Sequence, residues 1–119
     1  MKFDPTLPPR KFKVGLDGGI ELSECAKLSL EPDELVTFVD DDGSEYDVAR
    51  KDWGYYATPS INERLARNGY KTALVRNFGG QYFIMLVMVS SLAEFHAYRD
   101  REQQELVAWL DELKEDTLK

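Results

Sequence analysis

The chain has 119 residues, a formal net charge of −7 and a pI near 4.7, with 43% hydrophobic and 31% charged residues. This length predicts a single globular domain, residues 1–119, that buries a core without disulfides or metals. The acidic balance excludes non-specific binding of nucleic acid, which needs a basic surface. The longest apolar run, seven residues from Phe83 to Val89, is too short for a membrane span of about 20 residues.

The N-terminal segment, residues 1–10, contains three of the five prolines and predicts an extended arm rather than a regular element. It has no apolar core of signal-peptide length, and one cysteine, Cys25, cannot form an internal disulfide. Both features predict a cytoplasmic protein. Apolar neighbours at period two around Cys25 are typical of a buried structural thiol.

Short strands are predicted between residues 11 and 57, where polar and apolar residues alternate or, at residues 35–39, β-forming residues are concentrated. They cover residues 11–15, 20–30, 35–39, 44–49 and 53–57. Asp40–Gly43 predicts a hairpin turn. The same turn fails as a calcium loop, because Phe38 and Ala49 stand where the EF-hand template requires oxygen ligands.

A short helix is predicted over residues 59–68, and two N-terminal caps compete for it. Thr58 followed by Pro59 is one, with proline at the first helical position. Ser60 with Glu63 three residues later is the other, a capping box.

The C-terminal half predicts two paired strands, residues 70–76 and 82–89. Because Phe83–Val89 shows no alternation, we expect it to be covered on both faces, and residues 73–75 and 83–89 to form the centre of the sheet. Ser91 and Glu94 predict a second capping box, opening a long helix over residues 91–115 or two helices with a bend near residue 100. The predicted fold class is therefore α+β: a mainly antiparallel, curved sheet with one short helix and a long C-terminal helix.

Charge is segregated along the chain. Residues 50–76 hold six Lys/Arg and two Asp/Glu, a net of +4, whereas the rest of the chain holds nine and twenty, a net of −11. A helix N-terminus near Pro59 favours an anion. We therefore predict a site for a phosphorylated or otherwise anionic small molecule, formed by Tyr55, Tyr56, Thr58, Ser60 and Arg64.

Alternative roles exist for the same residues. Trp53, Tyr55 and Tyr56 also suit a core position, and on a strand Trp53 and Tyr55 would share one face. Glu63 and Arg67 have the spacing of a helical ion pair, which would leave Arg64 for the ligand or for an acid elsewhere in the chain. No catalytic set, cofactor motif or metal-ligand set is recognisable, and His96 is expected on a helix surface.

The string Trp53–Leu65, Trp-Gly-Tyr-Tyr-Ala-Thr-Pro-Ser-Ile-Asn-Glu-Arg-Leu, followed by Lys71–Val75, resembles a family of small uncharacterised bacterial proteins. That family is associated with surface-polysaccharide and nucleotide-sugar gene clusters. The resemblance implies a carbohydrate or sugar-phosphate setting and no particular mechanism.

Two functional hypotheses follow from the sequence. The first is a non-enzymatic accessory or binding protein, self-associating as a homodimer, whose basic segment at residues 50–76 receives an anionic group. The second is a small enzyme acting on a carbohydrate or sugar phosphate, with Tyr55 or Tyr56, Ser60 and Arg64 lining its site.

Overall fold

The computed structural model describes residues 1–113, and 51% of the described residues lie in strands. The predicted fold class with a long C-terminal helix is wrong. The longest α-helix among these residues has ten residues, and a strand follows it. Residues 114 and 115 of the predicted helix lie outside the described part of the chain.

The strands are β1 (Lys2–Val14), β2 (Ile20–Ser29), β3 (Leu35–Val39), β4 (Glu45–Lys51), β5 (Gly54–Ala57), β6 (Tyr70–Arg76), β7 (Tyr82–Met88) and β8 (Glu105–Trp109). The α-helices are α1 (Arg64–Arg67) and α2 (Leu92–Arg101), and 3-10 turns cover Val89–Ser91 and Leu110–Glu112. These elements belong to two compact units, Met1–Thr58 and Pro59–Lys119. The single domain expected from the chain length stays a prediction.

In the first unit, β1 and β2 form an antiparallel hairpin that ends with Val14 opposite Ile20. The arm expected at residues 1–10 is extended, but it belongs to a regular strand. The register shifts between Pro5 and Arg10, since the prolines in this stretch lack the N–H that ladder pairing needs.

The β1–β2 sheet has two strands and leaves much of its side-chain surface exposed. Cys25, Leu22 and Leu28 of β2 are all exposed, so the expected buried thiol is wrong. A two-stranded ribbon has no third strand to cover its side chains, and alternation alone does not bury them.

The remaining strands of the first unit form a sheet in the order β3-β4-β5, antiparallel throughout. The predicted turn at Asp40–Gly43 is confirmed: the Gly43 amide donates a hydrogen bond to the Asp40 carbonyl at 2.9 Å. Central β4 carries the two buried side chains of the sheet, Asp47 and Ala49. The sheet thereby presents β5 as an edge strand.

The second unit is built on an antiparallel sheet in the order β7-β6-β8. Its core is one face of this sheet, where Ala73, Val75 and Val87 are buried. Partly buried side chains from β7, α2 and β8 pack against these three: Met85, Leu92, Phe95, Leu106 and Trp109. The centre of the sheet is β6, which confirms the expectation for residues 73–75. The same expectation for residues 83–89 is wrong, because β7 is an edge strand.

Leu106 and Trp109 have the i, i+3 spacing of a helix, but they lie on strand β8. Leu106 lies opposite Val75 and Trp109 lies opposite Ala73, so three steps on β8 match two on β6. This bulge puts residues three apart on the same face of a strand, which imitates the i, i+3 pattern of a helix. Before it, α2 ends in a turn at Gln103, whose φ is +53°.

The predicted caps also differ. Helix α1 has four residues instead of the ten expected over residues 59–68, and Glu63 precedes it. Ser91 precedes α2 without a side-chain capping bond, so the second capping box is wrong. No helix within residues 1–113 combines the length and apolar character needed to cross a membrane.

Candidate ligand-binding site on the β4–β5 hairpin

The five predicted site residues fall on both sides of the boundary between the units. Tyr55, Tyr56 and Thr58 belong to the first unit, and Ser60 and Arg64 belong to the second. The two tyrosines are consecutive residues of β5, in the first unit.

Tyr55 and Tyr56 point to opposite faces of β5, as neighbours on a strand must. Tyr55 lies opposite Arg50 in the register, and the Arg50 guanidinium stands 5.4 Å from the centroid of its ring. Arg50 Nη1 also donates to the Gly54 carbonyl at 3.3 Å. This cation–π pair fixes the guanidinium beside the hairpin turn.

Trp53 stacks on Tyr56, with ring centroids 6.2 Å apart and planes inclined by 21°. The sequence predicted that Trp53 would share a face with Tyr55. It does not, because Trp53 lies in the turn between β4 and β5, where strand alternation does not apply. Both stacked rings are open to solvent, Trp53 by 72% and Tyr56 by 45%.

A charged pair accompanies the stacked rings. The Lys51 ammonium donates a short hydrogen bond to the Asp33 carboxylate, and the two form an ion pair. The hydrogen bond to Asp33 raises the pKa of Lys51, and the nearby Tyr56 adds a smaller contribution in the same direction. Lys51 and Ala49 are two residues apart on β4, so their side chains lie on the same face. Ala49 lies opposite Tyr56 in the register, and Lys51 and Tyr56 therefore share that face.

The backbone holds Asp33 in an unusual conformation. Its φ is +69°, a left-handed value that aspartate tolerates better than most residues. Its amide donates to the Arg50 carbonyl at 2.7 Å, which fixes the β2–β3 loop against β4. Conformations of this kind are found where the surrounding structure determines them, often at functional sites.

The side chain of Thr58 is engaged within the first unit. Its hydroxyl lies 3.2 Å from Asp47 Oδ2 and its amide donates to the Asp47 carbonyl at 3.0 Å. Thr58 thus fastens the end of β5 to the buried carboxylate of β4, a structural task different from the predicted helix cap.

Ser60 and Arg64 are joined at the start of α1. Ser60 Oγ accepts a hydrogen bond from the Arg64 amide at 2.9 Å, so its oxygen already caps the turn. The predicted ion pair between Glu63 and Arg67 is not seen among the described side chains, since Glu63 lies outside the helix and their helical spacing is lost.

The site that emerges is the hairpin platform, defined here as Trp53, Tyr56, Lys51 and Asp33. It offers open aromatic faces beside one cation and one carboxylate. Sequence reasoning missed Asp33, which is 18 positions from Lys51. Glu31-Pro32-Asp33 separates two predicted strands and indicates a turn, but no neighbouring residue indicates which cation Asp33 pairs with.

No protein-family model, curated protein or solved structure matches this chain. The resemblance of Trp53–Leu65 to a polysaccharide-associated family stays a prediction.

Proposed function

We propose that this protein is a non-enzymatic, cytoplasmic accessory protein that binds a carbohydrate carrying an anionic group on the hairpin platform. The observation that carries this proposal is the exposed, stacked pair of Trp53 and Tyr56 next to Lys51. The anion-accepting part of residues 50–76 is then Lys51, rather than the start of a helix.

The aromatic pair supports carbohydrate as the ligand class. Tryptophan and tyrosine have an apolar body with a polar tip, which suits a ligand with C–H faces and hydroxyl edges. Their rings lose little conformational entropy on binding, because each has two side-chain torsions. Stacking on one another holds both rings in place before the ligand arrives.

The charges support an anionic substituent on that carbohydrate. Lys51 donates to Asp33 and retains further N–H donors for an incoming phosphate or carboxylate. Asp33 in turn can accept hydrogen bonds from sugar hydroxyls. Within the described residues Arg50 forms no ion pair with a carboxylate, but it lies on the face of Tyr55, so Lys51 is the cation that the hairpin platform offers to an anion.

The experiment is a titration with glucose, glucose 1-phosphate, glucuronate and inorganic phosphate, followed by tryptophan fluorescence and thermal shift. We expect glucose 1-phosphate or glucuronate to bind with a Kd of about 0.1–1 mM and to raise the midpoint. Trp53→Ala should remove this binding. Tyr55→Ala is the control, because Tyr55 is an exposed aromatic residue of the same hairpin that lies on the face opposite to Tyr56.

Two results would contradict the proposal: no response to any sugar anion, or equal responses in wild type and Trp53→Ala. A response to inorganic phosphate as strong as that to the sugar phosphate would show that the aromatic rings contribute nothing. The second hypothesis, a small enzyme, uses the same ligand chemistry, and it would be favoured by turnover of the bound sugar phosphate.

A further inference from the structure

The longest stretch without a charged side chain lies in the second unit. Residues 77–93, between Arg76 and Glu94, contain no Asp, Glu, Lys or Arg, although 31% of the chain is charged. Strand β7 lies inside this stretch, with the sequence Tyr-Phe-Ile-Met-Leu-Val-Met. It also lacks proline, and its pairing with β6 has no bulge, so three features that often prevent pairing at a sheet edge are missing from it.

Strand β7 has a vacant side. Among the described residues it pairs with β6 alone, as the outer strand of the order β7-β6-β8. A strand at the edge of a sheet presents backbone N–H and C=O groups that can pair with a further strand. The opposite edge, β8, is less suited to such pairing, because it carries Glu105 and is shorter.

One face of β7 is apolar and open. Met85 and Val87 point into the core beside α2, whereas the alternate residues point away from it: Tyr82, Ile84 and Met88 are exposed and Leu86 is half-buried. Tyr82 is 60% exposed and Ile84 is 58% exposed. A partner strand that continued the sheet would pair with the backbone of β7 and place its own side chains beside these apolar residues.

We propose that two copies of this chain pair through β7, antiparallel about a twofold axis at Met85. The two three-stranded sheets then form one six-stranded sheet. This inference is independent of the ligand proposed for the hairpin platform.

A second copy fits this edge because the strand is complementary to itself. With the axis at Met85, Tyr82 lies opposite Met88, Phe83 opposite Val87, and Ile84 opposite Leu86. A twofold interface brings the same patch of both copies together, so every charge on it would face or approach its own kind. In a protein of net charge −7, a strip without charge is therefore the surface where self-association meets the least repulsion.

The test is sedimentation velocity of the full chain between about 1 and 200 μM. We expect wild type to move from a 13.7 kDa monomer to a species of twice that mass. Ile84→Lys, which brings two ammonium groups to diagonal positions across the axis, should weaken the dimer about 10-fold, because like charges across a strand pair repel. Val107→Lys, on the exposed part of the opposite edge strand, should leave it unchanged.

Tyr82→Lys is a second variant, placed at the end of β7, and should weaken the dimer less than Ile84→Lys does. Circular dichroism and thermal midpoints verify that each variant is folded. If Ile84→Lys does not fold, Tyr82→Lys serves as the test variant in its place. Hydrogen exchange should show concentration-dependent protection of β7 amides in wild type. A wild-type monomer at every concentration, or a dimer that Val107→Lys disrupts as strongly as the β7 variants do, would overturn the proposal.

Discussion

Lys71 Nζ donates a hydrogen bond to Asp111 Oδ2 at 2.9 Å, connecting the central strand of the second unit to the 3-10 turn after β8. The other carboxylate oxygen of Asp111 accepts the Thr72 amide at 2.9 Å. The Lys71 ammonium also stands 4.8 Å from the centroid of the Trp109 ring. Asp111 therefore holds β6 and the turn together through both of its oxygens.

Replacing this carboxylate should destabilise the protein. The Asp111 side chain is 9% exposed, whereas that of Glu112, 3.2 Å from the same ammonium, is 59% exposed. We expect Asp111→Asn to lower the free energy of unfolding by about 1–3 kcal/mol, because a charged hydrogen bond at a nearly buried site is lost. The matched control Glu112→Gln should cost less than about 1 kcal/mol. Urea denaturation measures both, and equal losses would contradict the assignment.

The stability that Asp111 provides should depend on pH. Burial acts to raise the pKa of this carboxyl, but the hydrogen bonds from Lys71 and the Thr72 amide outweigh it and bring the pKa below 3.8. A lowered folded pKa means that the stabilisation is present above the unfolded value and is lost as the pH falls through the folded value. The difference in unfolding free energy between wild type and Asp111→Asn should thus shrink below about pH 4.

Urea midpoints measured from neutral pH down to the lowest pH at which both proteins fold would test this. A difference that stays constant over the whole series would show that the carboxylate charge is not the source. On the alkaline side, the hydrogen bond to Asp111 raises the pKa of Lys71 above 10.5, so the pair persists through neutral pH.

Leu65 should anchor α1. Its side chain is almost completely buried, and α1 contacts β6. Leu65→Ala is expected to lower the free energy of unfolding by about 2–5 kcal/mol, from lost burial and the cavity left behind. The control Leu113→Ala removes the same atoms from an exposed leucine and should cost less than about 1 kcal/mol. Similar thermal midpoints for the two variants would contradict this role.

The β3–β4 turn should require glycine at position 43, because the backbone there has a positive φ. The φ of Gly43 is +87°, and a Cβ at Gly43 or at Gly19 would meet no atom within 4 Å, so space is not the issue. Gly43→Ala should cost about 1 kcal/mol, since alanine is strained in the left-handed region. Gly19→Ala, where φ is not in that region, should change stability by less than about 0.5 kcal/mol. Chemical denaturation of both variants would decide, and equal effects would contradict the explanation.

The local elements were predictable where neighbours in sequence decide them. A run of β-forming residues located β3, and the Asp40–Gly43 turn followed from residues that favour tight turns. The C-terminal strand was not predictable, because a bulge in β8 gives Leu106 and Trp109 the spacing of a helix. Only the pairing with β6 shows that both side chains share a strand face.

The candidate site was predictable only in part. The sequence drew attention to the aromatic segment and located two tyrosines of the hairpin in it. It assigned Trp53 to the wrong face, because the limits of the turn depend on the register between β4 and β5. It also relied on a helix N-terminus that becomes, in the structure, a helix of four residues.

The amino-acid sequence by itself determined composition, charge segregation and most turns, since these depend on residues close together in the chain. Tertiary structure decided which strands are central and which are edges, and which charges meet. Asp33 reaches Lys51 and Asp111 reaches Lys71 across 18 and 40 positions. Such contacts depend on backbone pairing between distant strands, and one register among many cannot be chosen from local pattern alone.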